Sequence, residues 1–189
     1  MSVNSIARTS TVKHYYDKLT LTLHWVTAMI VIFLFASSQI WEQLERGTFW
    51  RKTLQSLHIS FGIALAAIII IRLIWRATAG KKLPAASSSL LMHRLAKLTH
   101  WALYLLLIAQ ITLGFLFRWA QGEPFMFFGL FTVPDIFNVD PMLRRTFGML
   151  HFYTAWTIII LAGLHACAAL FHHYVLRDDT LRRMMPPAE

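Results

Sequence analysis

Long apolar runs separated by short polar clusters dominate the chain. Four of them are long enough to cross a hydrocarbon core, which takes about 20 helical residues. They lie at about 19–40, 54–75, 90–117 and 146–176, and the last two exceed what a span needs, so their ends are expected to protrude or tilt. The fold expected is all-α, an integral membrane four-helix bundle, with residues 1–189 forming a single transmembrane domain. Residues 85–89 are a small-residue connector, and the longest connection, from Trp119 to Arg145, holds Pro124, Pro134 and Pro141 and is expected to form a cap or docking surface.

Composition supports this class: hydrophobic residues make up 57% of the chain. The polar leader before the first run lacks a signal-peptide pattern, so it is expected to be retained in the cytosol. Counting Lys and Arg at the span ends with the amino terminus inside puts twelve on the inner side and six on the outer. By the positive-inside rule both termini are then cytoplasmic. The tryptophans Trp25, Trp41, Trp50, Trp75, Trp101 and Trp119 fall near span ends, where an amphipathic ring is stable.

The formal net charge of +9 raises nucleic acid as a partner, but the basic residues flank apolar spans and form no continuous stripe, so no nucleic acid is expected. Cys167 is the single cysteine, which excludes an intramolecular disulfide, a thiolate cluster and C-x-x-C-H haem attachment.

Histidine is costly inside a bilayer unless paired or ligating. His151 and His165 are fourteen residues apart on the fourth span. That spacing is about 1400° of rotation and about 21 Å of rise, so they share a face at opposite depths. His24 begins the first span and His58 the second, so depth pairs His24 with His165 and His58 with His151. Two bis-histidine haems stacked across the membrane need this pattern, since each iron takes an imidazole from either side. Gly62, Gly114, Gly148 and Gly163 permit close approach, either of haem or of another helix.

Here the sequence resembles the bacterial cytochrome b561 family over nearly its whole length. The resemblance is carried by Leu23-His24-Trp25, by Leu57-His58-Ile59-Ser60-Phe61-Gly62, by His100 with Tyr104, and by Leu164-His165 followed by His172-His173-Tyr174. The tail from Asp178 to Pro186 adds to it. It implies a bacterial inner-membrane protein with two haem b groups held by His24, His58, His151 and His165 as axial ligands. It also implies a quinone-linked oxidoreductase acting on ubiquinone, in some members with superoxide as electron donor.

Arg72, fourteen residues after His58, returns to the same helix face at inner depth, as a haem propionate partner or a snorkelling headgroup anchor. His100 is read as a propionate partner, a quinone hydrogen-bond group or a structural histidine, and as a poor candidate for a third haem because no partner matches its depth. His93 is placed at the interface. His172 and His173 are interfacial or a proton-handling cluster, and His14 has no redox role. Outside, Arg51, Lys52, Arg144 and Arg145 flank His58 and His151, to bind propionates, steer an anion or anchor headgroups.

The function expected is transmembrane electron transfer between a quinone pool and a second redox partner, superoxide or a protein electron donor. Two rivals stand beside it: a cytochrome b subunit of a larger dehydrogenase or hydrogenase, and a histidine-based metal transporter. The transporter predicts a colourless protein with carboxylates inside the spans, where none is found.

Overall fold

The computed structural model describes residues 15–81, 83 and 89–185. His14, the leader cations Arg8 and Lys13, Lys82, most of the small-residue connector and Pro186 lie outside the described residues. Four helices run through the described chain: α1 (Lys18–Glu42), α2 (Phe49–Thr78), α3 (Leu90–Gln121) and α4 (Arg144–Phe171). Each is long and apolar enough to cross a membrane. All four expected spans are present, with α2 and α3 extending several residues beyond the apolar runs.

Local chemistry sets the helix ends. Asp17 caps α1, its carboxylate accepting from the Thr20 amide at 2.8 Å and the Thr20 hydroxyl at 2.7 Å. The same carboxylate accepts from Trp75 Nε1 at 3.0 Å and from the Lys81 amide at 3.1 Å, so one side chain ties the start of α1 to the end of α2. Gly122 ends α3 in the left-handed region, at φ +67°. A 3₁₀ turn, Pro141–Leu143, capped by Asp140, leads into α4. Past Phe171 the chain continues as one π turn, His172–Leu176, closed by Arg177 at φ +55°.

The helices pack as two hairpins. α1 lies along α2 and α3 along α4, and the pairs touch each other far less. The core between them is a small apolar layer of Leu65, Ile69, Leu107 and Ile158 at mid-depth. Elsewhere large apolar side chains face outward, among them Ile32, Leu105, Ile160 and Leu164, each about 60% exposed. Such a surface is stable against lipid and unstable against water.

Both described ends meet on one face of the bundle. The Tyr16 amide donates to the Arg183 carbonyl at 3.3 Å, and Trp25 Nε1 donates to the Met184 carbonyl at 2.8 Å. This is the terminal face; the opposite, connection face carries the α1–α2 and α3–α4 links.

The long connection holds structure that the apolar pattern did not predict. Strands β1 (Phe125–Phe127) and β2 (Phe131–Val133) pair antiparallel with Phe127 opposite Phe131. Phe128 (φ +47°) and Gly129 (φ +73°) are the central residues of the turn in the three-residue connection 128–130, which the Leu130 amide closes on the Phe127 carbonyl at 2.9 Å. Positive φ at both positions gives the turn a twist that matches paired strands.

Candidate functional site

The predicted histidines gather at two levels between the helical hairpins. On the connection side the rings of His58 and His151 have centroids 6.3 Å apart; on the terminal side those of His24 and His165 are 6.5 Å apart. The Leu65, Ile69, Leu107 and Ile158 layer lies between the levels. Ile158 is seven residues from each α4 histidine, hence midway along the rise.

The connection-side rings are oriented by backbone. His58 Nδ1 donates to the Leu34 carbonyl of α1 at 3.0 Å, with Ser37 Oγ at 3.3 Å and the Trp41 ring edge-on at 4.8 Å. His151 Nδ1 donates to the Gln110 carbonyl of α3 at 3.2 Å. A proton held at Nδ1 leaves the Nε2 lone pair free to ligate. At His151 that lone pair accepts from the Gln110 side-chain amide, 3.1 Å away. The outer Gln110 oxygen is buried with no hydrogen-bond partner.

These rings border a cavity of about 1080 Å³ lying between the hairpins. Gly62 is part of its wall, and a Cβ there would meet nothing within 4 Å. The other glycines divide by role. A Cβ at Gly114 would come 3.2 Å from His151 Cε1, and one at Gly148 would come 3.1 Å from the Phe117 ring. Gly114 and Gly148 therefore serve close approach within the protein, whereas Gly62 and Gly163 face open space.

Among the outer cations, Lys52, Arg118 and Arg144 line the cavity. Arg51 does otherwise: its Nη1 donates to the carbonyls of Trp41 and Leu44 at 2.6 and 2.7 Å, and Nη2 is 3.7 Å from Glu42. It caps the end of α1, a use of Arg at helix C-termini that the sequence reading did not consider. Arg118, near the end of α3, is bonded to Gln121, lies 3.9 Å from Glu123 and stacks on Phe125 at 5.5 Å. Its Nε is buried without a partner.

On the terminal side Arg72 reaches the histidine level, as its fourteen-residue phase from His58 implies. Its Nη2 donates to His24 Nδ1 at 3.0 Å, and its guanidinium lies over the Tyr104 ring at 5.2 Å. His100 corrects the sequence reading, since it shares the depth of His165, 5.3 Å between ring centroids. The two rings are in edge contact, with no gap between them wide enough for a metal-bearing plane. His93 lies in the first turn of α3 and is exposed.

Beyond α4, His172 Nδ1 is 2.5 Å from Asp178 Oδ2 across the π turn. Partial burial raises the Asp178 pKa, but hydrogen bonds from Thr180 and His172 outweigh it and hold the carboxyl below its usual range. The neighbouring His173 Nδ1 is buried and unpartnered.

Among the described residues no three His, Cys, Asp or Glu side chains converge to hold a metal ion. Facing pairs suit a ligand that brings its own equatorial donors. Metal–imidazole bonds of about 2 Å on either side of an iron would put ring centroids roughly 6 Å apart. Both pairs have that separation.

The profile described as prokaryotic cytochrome b561 matches residues 15–187. The chain belongs to this family. Cytochrome b561 homolog 2 of Escherichia coli (strain K12) is 36% identical over 171 residues, 90% of either chain. The probable superoxide oxidase CybB of Yersinia pestis is 31% identical over 90% of this chain and 96% of its own. Cytochrome b562 of Cereibacter sphaeroides is 27% identical over 91% and 96%. As a cytochrome b561 the chain is a multi-pass protein of the bacterial inner membrane that binds b-type haem and takes part in membrane electron transfer.

Proposed function

We propose that this cytochrome b561 carries two haem b groups, one between His58 and His151 and one between His24 and His165, and passes electrons between superoxide at the connection face and ubiquinone at the terminal face. The observation that carries the proposal is the pair of facing imidazole sets, 6.3 and 6.5 Å apart, on either side of an apolar layer.

Haem held by these histidines would supply one-electron chemistry, with ligation by two imidazoles favouring outer-sphere transfer. The protein does the rest. The Leu34 and Gln110 carbonyls fix the Nδ1 protons of His58 and His151 and make their Nε2 atoms the ligating ones. The Gln110 amide must turn away from His151 for ligation, which also frees its buried oxygen to find another donor.

Arg72 undergoes the matching change at the other level. A ring that accepts at Nδ1 carries its proton on Nε2, so ligation by His24 through Nε2 displaces Arg72 from Nδ1. The guanidinium, stacked on Tyr104 within the site, would then be placed to pair with a haem carboxylate. His100 stands beside His165 as a polar neighbour of the same haem or of the quinone.

Lys52, Arg118 and Arg144 make the connection-side cavity attractive to an anion. Two superoxide ions each give up one electron and leave as dioxygen; the two electrons and two protons convert one quinone to quinol. Protons enter through His172, which Asp178 orients at the terminal face. With both termini in the cytoplasm, as the charge asymmetry favours, superoxide is met outside and protons are taken from inside.

The test is superoxide-driven quinone reduction by purified protein in proteoliposomes, followed at rising ionic strength. Turnover that falls steeply with salt supports the reading. Quinone reduction by quinol-independent protein donors alone, with none from superoxide, would overturn the choice of donor.

A further inference from the structure

The β1–β2 hairpin hangs from the connection face toward the bundle centre. Its open end is held at the top of α3, where Trp119 Nε1 donates to the Pro134 carbonyl at 3.2 Å. Its turn end reaches α2 at Ser60. The Phe128 amide donates to Ser60 Oγ at 2.9 Å, and that hydroxyl lies 3.4 Å from the Met126 carbonyl. Ser60 is wholly buried.

Depth follows from helix geometry. Ser60 is eleven residues into α2, about 16 Å from its start at Phe49. The 30-residue helix is about 45 Å long, roughly 15 Å more than a hydrocarbon core. Even if the whole excess stood on the connection side, Ser60 would lie at the hydrocarbon boundary, and any sharing of the excess between the two ends places it deeper.

At that depth the hairpin shows lipid-compatible chemistry. Leu130 is 76% exposed and Phe131 53%. No charged side chain occurs from Phe125 to Val133. This surface continues the lipid-facing apolar surface of the helices. The other face turns inward: Phe125 is buried against Phe115 and Arg118 of α3, Phe128 meets Phe61 of α2, and Phe125 and Met126 line the His58–His151 cavity.

We propose that the hairpin is a re-entrant element embedded among the acyl chains of the leaflet on the connection side, where it forms the lateral wall between α2 and α3 that separates the cavity from lipid. Non-helical backbone at such depth must be paired within the protein. The two-stranded ladder pairs part of it, and Ser60 supplies a donor and an acceptor at the turn. Helix α2 thus carries a buried serine two residues after the connection-side histidine to satisfy an intramembrane turn. The inference does not depend on haem occupancy or on the identity of the electron donor.

The experiment places a nitroxide on Leu130→Cys in a Cys167→Ser background, with the full chain in lipid nanodiscs, and measures collision with oxygen and with a nickel chelate by power saturation. Labels on Ile160→Cys in α4 and Glu45→Cys in the α1–α2 loop supply the lipid and water references. An oxygen-to-nickel ratio near that of the 160 label supports the proposal, and a ratio near that of the 45 label overturns it. Phe131→Cys provides a second reporter where the 130 label perturbs assembly. Adding Ser60→Ala should move the 130 ratio toward the aqueous reference; an unchanged ratio would overturn the role given to Ser60.

Discussion

Gly114 makes room for His151. It sits one turn after Gln110 on α3, and a Cβ in its place would lie 3.2 Å from His151 Cε1 and 3.5 Å from Nδ1, against the imidazole that donates to the Gln110 carbonyl. The ring reaches that carbonyl because α3 is bare at this point.

Replacing Gly114 separates local propensity from site geometry. Alanine favours a helix interior by about 1 kcal/mol over glycine, so Gly114→Ala should not unfold α3. It should shift the reduction potential of one haem only, and Gly114→Leu should abolish that haem while sparing the other. Potentiometric titration of the visible bands checks both outcomes.

Arg72 carries the positive charge closest to the terminal-side pair. A cation near a haem favours its reduced form, so Arg72→Leu should lower one midpoint potential, by on the order of 60 mV for a tenfold change in the redox equilibrium. Arg72→Lys should restore part of the loss, since lysine keeps the charge without the two-pronged geometry. The connection-side haem should be unaffected in either variant.

Removing the Asp178 carboxylate with Asp178→Asn should slow quinone reduction roughly tenfold or more if His172 delivers protons with its help. The haem spectra should stay unchanged. Steady-state turnover across pH, beside the optical spectrum, tells a proton-transfer defect from a folding defect.

Asp17 links stability to pH. Burial raises its pKa, but hydrogen bonds from Thr20, Lys81 and Trp75 together hold it down at about 2, below the ordinary carboxyl value of 3.8. The folded value lies below the unfolded one, so this contribution is full above about pH 4 and lost as pH falls toward 2. Solvent screening keeps it modest. Asp17→Ala should cost about 1 kcal/mol, the usual worth of a helix cap, and should flatten the acid limb of thermal unfolding curves.

What the sequence made legible follows from periodicity. The four spans are written in apolar runs, and the fourteen-residue spacing of His151 and His165 places them on one face whatever the neighbours do. Depth brings His58 to His151 and His24 to His165, as the ring separations show. That these rings hold haem is the reading proposed above.

Three features depend on which elements meet, and no single segment encodes them. His100 lacked a depth partner on paper because His165 was already paired with His24; the ring contact puts it level with His165. The role of Arg51 depends on where the carbonyls at the end of α1 emerge. The hairpin escaped notice because nine consecutive residues without charge, between two prolines, carry no polar alternation. The glycine following four aromatic and methionine positions was its one turn signal.

The most direct measurement is haem stoichiometry by pyridine haemochrome on purified wild type, His151→Ala and His165→Ala, with reduced-minus-oxidised spectra of each. The account predicts two b haems per chain in wild type and one in each variant, with the surviving haem differing in potential between the two. A single haem in wild type, or two retained in both variants, would contradict it.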